Sequence, residues 1–269
     1  MGLRQVARTV NVRCNQALAI ALLAMPLASL SAAEPQQSER ASSDGAQVRI
    51  TTYETESGDR YFAASIQPSA DKSLMAAVRQ ATADVAIIVD TSATQAGDYR
   101  DGSIAALRAV VSKLRDQDRV RIFAGDVRAT DLTGSFDQPT TSKDAIKSLA
   151  QRLPLGNTNL MAVIDSVRAS LVAEPQNHSR SIVYIGDGSS IDAMEDENRF
   201  AAIVDALRAD RIAVHSIAIG PANNVELMAV LANQTGGVVG IVGDDKDTKP
   251  ASIGRQVGSS AIMSPIWLD

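Results

Sequence analysis

The feature that most constrains the fold of this chain is a run of five apolar residues, 85–89, which ends directly in Asp90. The run is rich in Val and Ile, which is typical of a strand covered on both faces of a parallel sheet. Ser92 and Thr94 follow at a spacing of two, and in an extended chain this spacing places side chains on one side. One carboxylate and two hydroxyls are hard oxygen ligands. The end of this strand is therefore a candidate site for Mg²⁺, Mn²⁺ or Ca²⁺.

The rest of the chain alternates between strand-like and helix-like segments. After the first strand we predict strands at 120–124, 128–132, 181–185, 212–219 and 238–242, and helices at 102–115, 143–152, 160–172, 198–210 and 225–235. Strands separated by helices of 10 to 15 residues form right-handed crossover units. We therefore expect an α/β fold with a doubly wound, mostly parallel open sheet and helices on both faces, in which segment 128–132 is an antiparallel edge strand.

Two further polar positions are candidates to complete the site. An open sheet of this kind binds ligands at the carboxyl ends of its strands, where the strand order reverses. Asp187 follows the fourth predicted strand within Gly-Asp-Gly, and Thr158 lies in a Gly-Asn-Thr-Asn loop directly before a helix. If the strands that precede Asp90 and Asp187 are neighbours, both carboxylates face one crevice, and Thr158 reaches it from a third direction.

These motifs together resemble the von Willebrand factor type A (VWA) domain. Asp90-x-Ser92-x-Thr94, Thr158 and Asp187 match that family's metal-ion-dependent adhesion site in order, strand-end placement and spacing, and the resemblance covers about residues 82–245. Segment 214–220 is similar to the family's late core strand. One departure is Thr94, where the family usually has serine; threonine keeps the hydroxyl that a metal needs.

The resemblance implies a mechanism. In such domains Ser92 and Thr94 bind the metal directly, Thr158 binds it directly or through water, and Asp90 and Asp187 act directly or through bridging waters. Mg²⁺ is the expected cation, with Mn²⁺ or Ca²⁺ as alternatives, because six oxygens and retained waters suit it. Neutral hydroxyl ligands leave much of the positive charge in place, so an Asp or Glu of a protein partner can complete the shell.

Segments outside this region have their own expected roles. The first 33 residues contain three arginines, an apolar run and small residues at their end, which predicts a signal peptide and export; an uncleaved membrane anchor is the alternative. Residues 34–47 are polar and are expected to form a flexible tether. Residues 48–80 contain a predicted β-hairpin and a lead-in helix. We place the VWA domain at 81–248 and treat 249–269, which ends in an apolar segment of unassigned role, as a C-terminal extension.

Composition and missing motifs exclude several other functions. The net charge of −5 is mildly acidic, without a basic cluster, which argues against nucleic-acid binding. The single cysteine, Cys14, lies in the predicted signal peptide, so thiol catalysis and disulfides are excluded. We expect His215 to be a core residue, His178 to lie in a surface loop, and the acidic segment 244–247 to be a solvated loop.

Enzymatic motifs are absent from the chain. Position 92 is serine where an aspartyl phosphatase needs a second Asp, and no Gly-x-Gly-x-x-Gly, Gly-x-Ser-x-Gly or Walker lysine motif occurs. We therefore expect a binding protein that is not an enzyme. The alternatives are a metal-independent scaffold and an accessory subunit of an envelope enzyme complex.

Overall fold

The computed structural model describes the backbone of residues 36–43, 46–54, 60–68, 81–175, 177–190 and 197–263. The chain divides into two compact units, residues 1–76 and 77–269. The predicted signal peptide, the predicted lead-in helix near residues 71–80 and the last six residues lie outside the described residues. Their assignments remain predictions.

The N-terminal unit contains a three-stranded antiparallel sheet. Its strands are β1 (Gln36–Ser43), β2 (Ala46–Glu54) and β3 (Arg60–Pro68), in that spatial order. Strands β2 and β3 include the two runs predicted to form a hairpin, and the segment that joins them, 55–59, lies outside the described residues. Strand β1 occupies most of the range for which the sequence predicts a flexible tether. Its pairing with β2 is a backbone ladder, which a polar sequence can form without apolar side chains.

The C-terminal unit is built on a six-stranded open sheet. Its strands are β4 (Ala83–Asp90), β5 (Arg119–Gly125), β6 (Ala129–Asp131), β7 (Ser179–Gly186), β8 (Ile212–Ala218) and β9 (Val239–Ile241), in the spatial order β6-β5-β4-β7-β8-β9. All neighbours pair in parallel except β6, which is antiparallel at the edge. The predicted fold class is confirmed, as is the antiparallel edge strand.

Within the described residues of this unit, six α-helices accompany the strands, five of them between strands and one after β9. They are α1 (Asp98–Val111), α2 (Lys143–Gln151), α3 (Leu160–Val172), α4 (Glu197–Ala209), α5 (Val225–Thr235) and α6 (Pro250–Ala261). Two one-turn 3-10 helices, Ala93–Gln95 and Pro139–Ser142, precede α1 and α2.

The helices cover both faces of the sheet, and β4 shows why. Val85, Ile87 and Val89 are fully or almost fully buried against residues of α1, α2 and α6, whereas Ala86 and Ile88 are buried against residues of α3, α4 and α5. Alternate side chains of a strand point to opposite faces, so a strand covered on both sides is apolar at every position. The continuous apolar run in the sequence is the direct result.

Helix α6 is a feature that the sequence does not predict. Residues 249–269 are expected to form an extension, yet Ile253, Val257 and Ala261 of α6 are buried in the core cluster that also contains β4. The helix lies close to α1, since a Cβ added at Gly254 would stand 2.5 Å from the backbone oxygen of Ala106. Small residues permit this approach, and they also weaken the apolar pattern that would reveal the helix in the sequence.

Candidate metal centre

The five predicted ligand positions lie at one edge of the sheet. Asp90 ends β4, and Asp187 directly follows β7. Strands β4 and β7 are adjacent and parallel, and the chain winds outward from β4 to β5 on one side and from β7 to β8 on the other. Thr158 precedes α3 by two residues and donates its hydroxyl hydrogen to Asp90. The predicted switch-point geometry is confirmed.

The Asp90 carboxylate is held by donors from three directions. Its Oδ1 accepts hydrogen bonds from the Ser92 backbone N–H at 2.8 Å and from the Thr158 Oγ1 at 3.0 Å. Its Oδ2 accepts a hydrogen bond from the Tyr184 hydroxyl at 2.8 Å. The residue is 2% exposed. The carboxylate therefore has a fixed orientation, which a preorganised ligand requires.

The hydroxyls of Ser92 and Thr94 lie side by side. Their oxygens are 2.9 Å apart, with Ser92 buried and Thr94 exposed. The spacing of two predicts that these side chains converge in an extended chain. Of the two residues, however, only Ser92 has extended backbone, and Thr94 lies in the 3-10 turn Ala93–Gln95. It is therefore the turn, and not the alternation of side chains along a strand, that brings the two hydroxyls together. One buried and one exposed hydroxyl place the site at the boundary between core and solvent.

Asp187 has an unsatisfied oxygen. The residue is 1% exposed, and its Oδ1 accepts a hydrogen bond from the Ser189 backbone N–H at 2.8 Å. Its Oδ2 is buried and has no hydrogen-bond partner among the described residues. Leaving a buried carboxylate oxygen unpaired is costly, so this atom fits a site in which a cation, or a water bound to one, is its partner.

The electrostatics of the site also fit a cation. Burial raises the pKa of Asp90 and the nearby charge of Asp187 raises it further, while hydrogen bonds from Ser92 and Tyr184 lower it. The negative form of Asp90 is thus destabilised by its surroundings. A positive ion between the two carboxylates would relieve that effect.

Backbone hydrogen bonds tie the first two site loops together. The Ala93 N–H donates to the Gly156 oxygen, and the Leu155 N–H donates to the Thr91 oxygen, both at 3.0 Å. These two bonds hold the segment before Thr158 alongside the segment that carries Ser92. Ser92 and Thr158 therefore share one rigid support.

A third loop is joined to this support through Ser190. The Leu160 N–H at the start of α3 donates to Ser190 Oγ at 2.9 Å. Ser190 follows Asp187 by three residues, so the loop that carries Asp187 is connected to the start of the helix that follows Thr158. All three ligand-bearing loops are thereby linked.

Tyr184 is a residue of this site that the sequence alone does not reveal. Its hydroxyl is buried, donates to Asp90 Oδ2, and accepts a hydrogen bond from the Gly188 N–H at 3.1 Å. Burial, followed by the charge of Asp90, raises its pKa well above the ordinary value, so the phenol stays protonated and remains a donor. The available signal is a tyrosine in an otherwise aliphatic strand, two residues before Gly-Asp.

Gly186 provides the space for that tyrosine. A Cβ at position 186 would lie 2.5 Å from both the Asp90 Cβ and the Tyr184 hydroxyl. A larger residue at position 186 would therefore collide with the two groups that form the hydrogen bond.

Gln95 is a second residue of this site that the sequence alone does not reveal. It is 1% exposed, and its side-chain amide donates to the Ile219 oxygen at 3.0 Å. Its Oε1 accepts a hydrogen bond from Ser103 in α1 at 3.3 Å. Gln95 thus connects the Ser92–Thr94 turn to the end of β8.

The histidines are not ligands of this centre. His215 is a buried core residue, as predicted; its Nδ1 accepts a hydrogen bond from the Val238 N–H, and its Nε2 has no partner among the described residues. His178 lies in the loop after α3, where it is half-buried among exposed neighbours, and it has a partner that the sequence does not predict. Its Nδ1 lies 3.1 Å from the buried carboxylate of Asp84, which also pairs with Arg119. Asp84 is at the amino end of β4, at the opposite edge of the sheet from the candidate metal centre. A buried carboxylate needs partners, and Arg119 and His178 supply them.

Acidic residues elsewhere do not form a competing site. Within the described part of the chain, no group of three or more His, Cys, Asp or Glu side chains is arranged to hold a metal. Residues 244–247 are exposed, as predicted for a solvated loop. The candidate centre differs from such clusters because it combines two carboxylates with three hydroxyls.

The fold and the site define an α/β domain with an oxygen-lined crevice at the switch point of an open sheet. A family profile described as the von Willebrand factor type A domain matches residues 83–241. This chain belongs to that family.

Solved structures share the fold. A von Willebrand factor type A protein from Catenulispora acidiphila has a TM-score of 0.58 at 15% identity, over 81% of this chain but 46% of that protein. An aerotolerance-related membrane protein from Bacteroides fragilis has a TM-score of 0.53 at 15% identity, over 66% of this chain and 98% of that one. Proximal thread matrix protein 1 from the mussel byssus, with a zinc-occupied MIDAS motif, has a TM-score of 0.55 at 15% identity, over 69% and 47%.

A search of curated proteins gave no match. Within the segments that the structure describes, no helix combines the length and the apolar character needed to cross a membrane.

Proposed function

We propose that this domain binds a protein partner through a divalent cation held by Asp90, Ser92, Thr94, Thr158 and Asp187. The observation that carries the proposal is the buried Oδ2 of Asp187, which has no hydrogen-bond partner among the described residues. Burial, which raises the pKa of Asp90, agrees with it. When bound, the cation would supply a positive charge that an Asp or Glu of the partner can ligate. Thr94 is exposed, so the site is reachable from solvent.

The donor set favours a hard cation. All five positions offer oxygen, which suits Mg²⁺ first and Mn²⁺ or Ca²⁺ as alternatives. The mussel byssus protein with a zinc-occupied MIDAS motif supports a divalent ion in this fold, although zinc more often has nitrogen or sulfur ligands. Mg²⁺ is therefore the ion that we propose.

We further propose that the protein is exported and acts by binding and not by catalysis. The predicted signal peptide supports export, and the lack of nucleophile and cofactor motifs in the sequence supports a non-enzymatic role. Adhesion and complex assembly are the two processes that such an interaction serves. A metal-independent scaffold and an accessory subunit of an envelope enzyme complex remain the alternatives.

Thermal unfolding with and without Mg²⁺ tests the metal site. A ligand at 100 times its Kd stabilises the folded state by about 2.7 kcal/mol. We expect Mg²⁺ to raise the Tm of the wild type and EDTA to reverse the effect. The variants Asp187→Asn and Ser92→Ala should lose this response, whereas Asp244→Ala, in the exposed acidic loop, should keep it.

Two outcomes would contradict the proposal. A wild type whose Tm is unchanged by Mg²⁺, Mn²⁺ or Ca²⁺ would remove the metal site. Partner binding that survives in Ser92→Ala, in the absence of any metal response, would favour the metal-independent scaffold.

A further inference from the structure

Large exposed apolar side chains are concentrated on the loops at the carboxyl edge of the sheet. Leu153 is 75% exposed, Leu155 is 68% exposed and Val127 is 58% exposed. These are the three most exposed large hydrophobic residues in the described part of the chain. All three lie on the two loops that follow β5 and α2. We refer to them as the apolar rim.

The apolar rim is directly connected to the candidate metal centre. The Leu155 N–H donates to the Thr91 oxygen, and Thr91 precedes Ser92. Val127 follows Asp126, whose carboxylate accepts hydrogen bonds from the Thr91 hydroxyl at 3.3 Å and from Arg152 at 2.7 Å. Thr91 therefore joins both loops of the rim through hydrogen bonds.

The loops that carry the rim are held in place. Arg152, which precedes Leu153, forms an ion pair with Asp126, and the Asn159 N–H donates to the Asp126 oxygen at 2.9 Å. Asp126 thus joins the loop after β5 to both ends of the loop between α2 and α3. Exposed leucines on a supported loop lose little conformational entropy on binding, which favours a docking role.

Charges around the rim favour an acidic partner. Arg128 is exposed in the same turn as Val127, and the negative charge of Asp126 is paired with Arg152. A divalent cation at Asp90 and Asp187 would balance those two carboxylates, which leaves the exposed Arg128 as a positive charge directly beside the apolar rim. That combination is complementary to a carboxylate with a hydrophobic neighbour.

We infer that the apolar rim and the metal centre form one docking surface for a protein segment that carries an Asp or Glu beside a large apolar side chain. This inference rests on the proposed function and adds specificity to it. The cation recognises the acid, and the leucines select among acidic segments by burying an adjacent Leu, Ile, Val, Met or Phe. A segment whose acid has only polar neighbours should bind about tenfold or more weakly, because it buries no apolar side chain against the rim.

Selection from displayed peptides tests the inference without a known partner. Two random heptamer libraries, one with a fixed central Asp and one with a fixed central Asn, are selected on the full protein in Mg²⁺. We expect enrichment only in the Asp library, with large apolar residues within two positions of the Asp. An enriched peptide is then synthesised, and its affinity is measured with Mg²⁺ and with EDTA.

Variants locate the peptide-binding surface. Leu153→Ser/Leu155→Ser should weaken peptide binding about tenfold or more while keeping the Mg²⁺-induced rise in Tm. The control is Val172→Ser/Val230→Ser, which removes two exposed apolar side chains of α3 and α5 that are 40% and 43% exposed. The control should bind like the wild type. A retained Mg²⁺ response also shows that each variant is folded.

The failures of the two proposals are distinguishable. The docking surface would be overturned, with the proposed function intact, if Asp peptides bind in a metal-dependent way but show no preference for apolar neighbours. The same holds if Leu153→Ser/Leu155→Ser and Val172→Ser/Val230→Ser bind the peptide with equal affinity. Equal enrichment of Asn and Asp peptides, or affinity unaffected by EDTA, would overturn the proposed function itself. A Mg²⁺-dependent dimer in sedimentation that becomes monomeric in Leu153→Ser/Leu155→Ser would show that a second copy covers the rim, which also overturns the inference.

Discussion

The Tyr184 hydroxyl is the buried group whose removal gives the most informative test of the site. It donates a hydrogen bond to Asp90 Oδ2 at 2.8 Å and accepts one from the Gly188 N–H at 3.1 Å. Tyr184→Phe keeps the ring and its packing but removes both interactions. The Asp90 carboxylate then has one donor fewer, and the Gly188 N–H is left without its partner inside the protein.

The expected cost can be worked from these two bonds. A hydrogen bond to a charged group contributes about 1.5–3 kcal/mol, and an unsatisfied buried donor costs about 1–3 kcal/mol. Because the two effects overlap, we expect Tyr184→Phe to lower the free energy of unfolding by about 2–5 kcal/mol. For a unit of this size each kcal/mol corresponds to about 2–4 °C in Tm, so a fall of about 4–20 °C is expected.

Urea unfolding followed by circular dichroism, together with thermal scans, measures this effect. Tyr99→Phe is the matched control, because Tyr99 is 40% exposed and its change should stay within about 0.5 kcal/mol of the wild type. If Tyr184→Phe is as stable as Tyr99→Phe, the hydroxyl is not a structural support of Asp90. The described hydrogen-bond arrangement would then be refuted.

Three further predictions concern other parts of the unit. Burial lowers the pKa of His215 to about 4, so between this value and about 6.5 the unfolded chain binds a proton that the folded protein excludes. The free energy of unfolding should therefore fall by up to roughly 3 kcal/mol as the pH falls from 6.5 to 4. His215→Asn should remove this slope in urea titrations at pH 7 and 4.5. Arg119→Met should lower the free energy of unfolding by about 1.5–3 kcal/mol in the same titrations, because the buried Asp84 carboxylate loses both hydrogen bonds from Arg119 and keeps its contact with His178, and the added change Asp84→Asn should recover part of the loss. Gly254→Ala should lower the Tm through an overpacking cost of about 1–3 kcal/mol where α6 meets α1, and an unchanged Tm would contradict that close approach.

The strands and helices with a strong apolar period can be predicted from the sequence. Both ends of α3 and of α5 agree with the prediction. Strands β4 and β7 pair, which is the condition under which the sequence brings Asp90 and Asp187 together. These elements are predictable because each buries a continuous run or stripe of large side chains. Convergence of the site residues follows from the same topology, while metal coordination itself remains a prediction.

Other features cannot be predicted because their causes are not local. Helix α6 packs through small residues, so its apolar stripe is weak. Helix α1 begins at Asp98, four residues before the predicted start, in a segment whose polar residues resemble a loop. The roles of Tyr184 and His178 depend on partners that are 94 residues away in the chain, Asp90 and Asp84 respectively. Such pairings become visible only when the strands are assembled.

The close approach of positions 184 and 186 has a consequence for how this sequence can change. The hydroxyl that supports Asp90 occupies the space that a Cβ at position 186 would need. A Cβ at position 186 would also stand 2.5 Å from the Cβ of Asp90, so shortening position 184 removes one of the two collisions and leaves the other. Positions 184 and 186 are therefore coupled, and the effects of Gly186→Ala and Tyr184→Val should be non-additive in a double-mutant cycle, although the double variant keeps the collision with Asp90 and stays less stable than the wild type. Family members that have a larger residue at the position of Gly186 should lack a tyrosine hydroxyl at the position of Tyr184. Their counterpart of Asp90 should then accept its hydrogen bond from another group.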